Sequence, residues 1–386
     1  MLTVHVIIAL LAVGALALGP RSSAAVVAVA VASLIDVGLG SAVAPALGVV
    51  VPLLAFLTAA LTLAALIETS GLADRAARLL ASAARGDIFA LYLLACMLSA
   101  VLTSVVSLDG AVVLAVPLLR RVSRLTGTSF APLFLGAVAV SNAFSSAVPQ
   151  GNPTNLVLID RLGIGPGAFL EHMLLPGLAA GMVCVAAVAL HQRQALAGRY
   201  AVSTSCWTAL SRRERRAAFA VGAAALAGWL APLAGIAPWW PFSGAVAAAI
   251  LIERPRPPLV VPWRIGVQVA ALVVAVESVG LPVPTPHAAT LPELLMIALA
   301  VGAASALVNN LPASAAVAAL LGAGPAAYAA SIGLSAGALA TPQGSVATLI
   351  AGDLAGNDAP PLRTLYLAAL AAAAVIAATL LLWVTA

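Results

Sequence analysis

Charge is what this chain has least of: only 8% of its 386 residues are charged, against a hydrophobic share of 63%. A soluble domain carries roughly a quarter charged residues, so a fold bathed in water on all sides is excluded. Lysine is absent, and all eighteen basic residues are Arg; this reads as a coding bias rather than a mechanism. The three cysteines, Cys96, Cys184 and Cys206, form no CxxC pair, so neither a disulfide framework nor a structural metal is expected. His5, His172, His191 and His287 show no ligand spacing and fall near the ends of apolar runs. No nucleotide-binding loop, Gly-x-Ser-x-Gly elbow or His-Glu-x-x-His helix occurs, which argues against an enzyme and against ATP hydrolysis by the chain itself. No cofactor is expected. The net charge of +5 suits the basic loops of a membrane protein and gives no case for nucleic acid.

What the chain has in abundance is apolar runs of about 17–25 residues, the length that crosses a hydrocarbon core. The first, 3–19, lacks a basic leader and an Ala-x-Ala site and reads as a retained span. The expected class is an all-α polytopic membrane protein of the inner (cytoplasmic) cell membrane, with the bilayer as its principal partner.

Arginine sets the expected topology. Arg21, Arg75/Arg78/Arg85, Arg120/Arg121/Arg124, the 193–216 cluster, Arg254/Arg256/Arg264 and Arg363 are all placed in the cytoplasm, leaving Arg161 outside. Residues 88–119 are apolar yet flanked by basic loops on both sides, and Ser107-Leu108-Asp109-Gly110 interrupts them. Only about nine apolar residues follow before Arg120, roughly 14 Å of helix or half a bilayer. The segment is therefore expected to enter from the cytoplasm, turn near Asp109 and return. Residues 291–322, interrupted by Asn309-Asn310-Leu311-Pro312 and without flanking Arg, are expected to do the same from the outside.

The tripeptide Pro-Gln-Gly occurs twice, at Pro149-Gln150-Gly151 and Pro342-Gln343-Gly344, half the chain apart. Proline, glycine and amides at bilayer depth free backbone groups that lipid cannot satisfy, so they survive where a broken helix faces protein or a wet cavity. A further pair, 66–72 and 275–281, shares Glu, Gly and Leu in register, at Glu68 and Glu277. Both halves thus carry a Glu, a polar hairpin tip and a break, in that order. The expected architecture is two inverted repeats, 1–190 and 217–386, joined by a basic cytoplasmic linker at 191–216. It comprises about ten transmembrane helices, two re-entrant hairpins and two broken helices, an arrangement suited to alternating access.

The tips and breaks supply the candidate substrate ligands: Ser107, Gly110, Gln150, Gly151, Asn152, Thr154 and Asn155 from the first half, and Asn309, Asn310, Thr341, Gln343, Gly344 and Ser345 from the second. Gly151 and Gly344 are expected to let the chain turn and approach a solute, and Asn142 either lines the cavity or bonds a neighbouring helix. Asp109 is the one acid placed deep in the membrane, where an ionisable group is functional by default; it is assigned to ion coupling. Glu68 and Glu277 are candidates for the same task, with capping or interfacial roles as the alternative.

The runs from Ser141-Asn142 to Pro149 and Asn152-Pro153-Thr154-Asn155-Leu156-Val157, with Leu108-Asp109-Gly110-Ala111, Val308-Asn309-Asn310-Leu311-Pro312-Ala313 and Thr341 to Leu349, resemble the motifs of ArsB-type arsenite efflux permeases. These belong to the ion transporter superfamily, with divalent-anion/sodium symporters and sodium/proton antiporters. The resemblance implies efflux of arsenite or antimonite driven by inward proton flow, sodium being the alternative ion. It leaves a homodimer and a separate ATPase subunit as open partners. On the same scaffold, the competing expectation is coupled transport of a carboxylate or inorganic divalent anion. Leu108, where the family usually has Asn, and Gln150 and Gln343 depart from the arsenite pattern.

Overall fold

The computed structural model describes residues 4–8, 11, 23–40, 44–201, 209–231, 236, 239–252, 258–259, 261–264, 266–267, 270–271, 274, 290–361 and 363–385. Glu277 and most of the expected first span lie outside these residues, as does Cys206. No strand occurs among the described residues. Six helices there are long and apolar enough to cross a membrane, and three shorter apolar ones accompany them. Long apolar side chains such as Met182, Leu190, Leu251 and Leu365 stand exposed on the outer surface, the inverse of a soluble protein and the arrangement lipid permits.

In the first half, α1 (Ser23–Gly38), α2 (Ala44–Ser70) and the amphipathic α3 (Leu72–Ala83) lead into α4 (Ile88–Thr126). Asp87 caps α4 by accepting from the Ala90 N–H at 2.7 Å, and Gly127, in the left-handed region, ends it. α4 is not one rod. Ser107 interrupts it with φ 75° and ψ 167°. A straight helix from Ile88 to Arg121 would run about 50 Å. Arg121 nevertheless donates to Asp74 at 3.2 Å, and the chain from Asp74 to Ile88, with both side chains, reaches at most about 45 Å. The two arms therefore turn at Ser107. The second arm is longer than the sequence suggested, so Arg120, Arg121 and Arg124 ride on its last turns rather than in a loop.

α5 (Phe130–Phe144), almost wholly buried, leads to the first break and α6 (Pro153–Leu162), and α7 (Pro166–His191) closes the half. α8 (Arg212–Leu230) begins inside the expected linker. Its N-terminus is fixed by a reciprocal box in which Ser211 and Glu214 satisfy each other's backbone N–H groups. α9 (Trp239–Ile252) follows. α10 (Leu291–Val308) and α11 (Asn310–Leu320) meet at Asn309, which has φ 84° and ψ 145°. α12 (Pro325–Ser335), the second break, α13 (Val346–Ala355) and α14 (Thr364–Thr385) complete the chain.

α4, α5 and α7 pack together, as do α10, α12 and α14, and the two groups meet chiefly where α14 lies along α7. α2, α8 and α9 form a separate group that touches the rest along α4. Small residues set the closest approaches: a Cβ added at Gly337 would collide with the Gly302 backbone of α10, the kind of contact that holds helices together without a hydrophobic driving force.

A layer of ion pairs links these elements at one end. Arg75 of α3 meets Glu214 of α8 at 3.1 Å, and Arg120 and Arg124 of α4 both meet Asp358, just beyond α13, at 2.6 and 3.1 Å. The Arg120 and Arg124 guanidinium groups hold the Asp358 carboxyl below the usual range, and the Ser211 cap, then Arg75, does so for Glu214. One acid was missed by the sequence reading. Asp36, on α1, is fully buried and pairs with the partly buried His5 at 2.8 Å, so Asp109 is not the sole buried carboxylate. His172 and His191 are stacked on Tyr328 and Tyr366.

Candidate functional site

Two tips and two breaks share one backbone design. Ser107 and Asn309, the single residues between arms, are both in the left-handed region that side chains rarely adopt. Each break is a short 3-10 turn, Pro149–Gly151 or Pro342–Gly344, between extended residues: Val148 and Asn152 in one, Thr341 and Ser345 in the other. Each is closed by the glycine N–H donating three residues back, Gly151 to Val148 at 3.0 Å and Gly344 to Thr341 at 3.2 Å. Neither glycine has positive φ. Their requirement is one of space rather than of positive φ: a Cβ on Gly151 would lie 2.5 Å from the Ser145 carbonyl oxygen, and one on Gly344 would strike that of Ala338.

Tip and break are tied in both halves, by different chemistry. Gln150 Nε2 donates to the Ser104 carbonyl at 2.9 Å. In the second half Asn309 Nδ2 donates to the Gln343 carbonyl at 2.9 Å and Thr341 Oγ1 to that of Ala306 at 2.5 Å. Asn309 Oδ1 also caps its arm by accepting from the Leu311 N–H at 3.2 Å. Ser107 occupies the matching position, yet its buried hydroxyl makes no hydrogen bond. Asp109 follows two residues later, at the N-terminal end of the second arm, where a helix favours negative charge. Its carboxyl is 2% exposed and makes no hydrogen bond or ion pair among the described residues.

The Asn residues of the first break are engaged within the protein. Asn152 Nδ2 donates to Ser145 Oγ (3.1 Å) and Ser335 Oγ (3.2 Å), while its Oδ1 caps α6 by accepting from the Thr154 N–H. Asn155 Nδ2 donates to the carbonyls of Ser145 (2.8 Å) and Val148 (3.0 Å), and its Oδ1 accepts from Ser331 Oγ at 2.9 Å. Asn142 reaches Thr348 Oγ1 at 3.3 Å and the Val138 carbonyl, leaving its own buried Oδ1 unpaired. These contacts stitch the first break to α12 and α5 to α13. Sequence reasoning passed over Ser331 and Ser335, although their four-residue spacing puts both on one face of α12.

Among the candidate ligands, Ser107 Oγ, Thr154 Oγ1 and Ser345 Oγ are buried without a hydrogen bond, and the Asn310 and Gln343 side chains likewise make none among the described residues. Of these, Ser107 lines a cavity of about 240 Å³. Its lining includes Val105 to Ser107 of the first tip, Gln150 and Pro153 of the first break, Leu311 of the second tip, and residues of α2, α8 and α9. None of the described residues lining it is charged. Gly110 packs against Phe56, whose ring also lines the cavity. Glu68 lies near the end of α2, away from the tips in sequence, and its side chain is outside the described set.

Among known families, the model described as citrate transporter (CitMHS) matches residues 7–340. No curated protein matches the chain.

Proposed function

The chain belongs to the citrate transporter family, and on that premise we propose that it is a secondary active transporter of carboxylate-type anions, driven by proton flow or, alternatively, sodium flow. The family match favours this reading over arsenite efflux, for which it offers no support. The reading takes the chain as two inverted repeats, 1–190 and 217–386, in the cytoplasmic membrane with the basic 191–216 linker inside. The observation that carries it is the pairing of Ser107 with Asn309 and of the two Pro-Gln-Gly breaks, which give both halves the same backbone design.

An anion at this place meets no basic side chain among the described lining residues. Its charge is balanced instead by the N-terminal ends of α6, α13 and the two second arms, where backbone N–H groups and the helix dipole favour carboxylates, and by the coupled cation. Ser107, Thr154, Asn310, Gln343 and Ser345 supply neutral hydrogen bonds. Asn152 and Asn155 hold the break in shape. Asp109, buried and unpaired, binds and releases the coupling ion; Glu68 and Glu277 are second candidates for that task.

Uptake of labelled citrate by cells lacking their own carboxylate carriers, beside an arsenite-sensitivity assay in a host without exporters, tests the reading. Carboxylate uptake without arsenite rescue is the expected result. Arsenite rescue without uptake of any carboxylate would overturn it.

A further inference from the structure

Helices begin at both breaks and at the second tip, and they differ in what their first N–H groups do. These groups have no acceptor within a helix, and burying them unpaired is costly. In α6 none is left over: Pro153 has no N–H, Thr154 donates to Asn152 Oδ1 at 3.1 Å, and Asn155 donates to the Asn152 carbonyl at 3.0 Å. In α11, Leu311 donates to Asn309 Oδ1, Pro312 has no N–H, and Ala313 donates to the Asn309 carbonyl at 3.2 Å. α13 differs. It starts Ser345-Val346-Ala347-Thr348 where α6 starts Asn152-Pro153-Thr154-Asn155. Ser345 does not cap it, and the Val346, Ala347 and Thr348 N–H groups have no acceptor among the described residues. All four residues are buried, and Ser345 Oγ makes no hydrogen bond. Backbone donors and a hydroxyl at the positive end of a helix match one carboxylate.

An acceptor lies at the same turn. Asn142 Nδ2 donates to Thr348 Oγ1 at 3.3 Å, and the Val138 carbonyl, 2.9 Å from the same nitrogen, fixes which way the amide points. Its Oδ1, on the same amide carbon, is buried and accepts nothing. The cavity comes close to this end through Leu311, whose neighbour Asn309 bonds the Gln343 carbonyl two residues before Ser345. A bare carboxylate would answer the donors and leave Asn142 Oδ1 unpaired. A carboxylate with a hydroxyl on the adjacent carbon answers both.

We infer that the N-terminus of α13, with Ser345 and Asn142, is the subsite for an α-hydroxycarboxylate group. The carboxylate takes the α13 N–H groups and Ser345 Oγ, and the hydroxyl donates to Asn142 Oδ1. Citrate and malate carry this group; tricarballylate and succinate are the same skeletons without the hydroxyl. The inference rests on the carboxylate reading above and deepens it, making Asn142 the residue that selects for the hydroxyl.

The test is uptake and competition in proteoliposomes of the full chain with those four acids, with binding also read by thermal shift in detergent. The parent should prefer citrate to tricarballylate, and malate to succinate, by at least on the order of tenfold, because the analogue leaves a buried acceptor unpaired. The ratio should fall toward one in Asn142→Ala and in the milder Asn142→Ser, which installs the residue found seven positions before the proline of the other break. Val346→Pro removes one backbone donor where helices accept proline, and the extended Ser345 suits a proline after it. It should melt no lower than the parent without substrate and weaken citrate and tricarballylate alike. Ser345→Ala, whose lost hydroxyl bonds nothing in the protein, should do the same. Equal affinity for the two acids of each pair in the parent would overturn this inference and leave carboxylate transport standing. A preference that survives both Asn142 substitutions would overturn the role of Asn142, and unchanged affinities in Val346→Pro and Ser345→Ala would overturn the place of the carboxylate. Failure to bind or move any of the four would overturn the carboxylate reading and this inference with it.

Discussion

Ser107 and Asn309 hold the same strained backbone, a conformation costing of order 1–3 kcal/mol outside glycine, but they are secured differently. Asn309 caps its arm and bonds the facing break, whereas the Ser107 hydroxyl is idle. Ser107→Gly should therefore raise thermal stability by about 1 kcal/mol while weakening substrate affinity, and Ser107→Ala should weaken affinity with no gain in stability. Asn309→Ala should lower stability by about 1–3 kcal/mol through the lost cap and tether. Melting curves in detergent beside uptake affinity separate these outcomes. Asn155→Ala leaves the buried Ser145 carbonyl and the Ser331 hydroxyl without the amide that bonds them, so its main effect should be on folding, about 2–4 kcal/mol, visible as lost thermal stability even without substrate. A variant as stable as the parent but unable to bind would instead make Asn155 a substrate ligand.

At the scale of the element, the breaks were the most legible feature of the sequence, because Pro, Gln and Gly in an apolar run have few structural excuses. The tips were legible for the same reason: the turns fall at Ser107 and Asn309, within the expected polar interruptions. The extent of the second arm was not legible. Three arginines mark a membrane boundary by charge, but they also suit a helix, and the Asp74 and Asp358 partners that hold them there are distant in sequence. His5–Asp36 was hidden likewise, since a buried acid is tolerable only with a partner that lies 31 positions away. The glycines of the breaks were found for an incomplete reason, since crowding by a carbonyl six residues back leaves no sequence signature. Gly151→Ala should accordingly abolish transport and disrupt packing, although its backbone angles suit alanine. The ion-pair layer adds a pH dependence. Asp358 has a depressed pKa in the folded state, so its stabilising effect is present above the ordinary carboxylate pKa and is lost as pH falls through the lower folded value. Asp358→Asn should flatten the acid side of the melting-temperature profile relative to the parent.

Among the described residues, a cavity with no basic lining residue lies at the same tip as the buried Asp109 carboxyl, which has no partner there. The neutral ring of amides and hydroxyls in the sequence suited an uncharged solute as well as an anion. What separated the two was the family match, because hydrogen-bonding groups alone do not declare the charge of what they hold. The central claim is that Asp109 couples cation flow to movement of a carboxylate through this cavity. The direct measurement is accumulation of labelled carboxylate in proteoliposomes under an imposed proton or sodium gradient, comparing the parent with Asp109→Asn. Gradient-driven accumulation in the parent, lost in Asp109→Asn while exchange of carboxylate across the bilayer persists, is the predicted result. Accumulation that follows the gradient equally in both proteins would contradict the account.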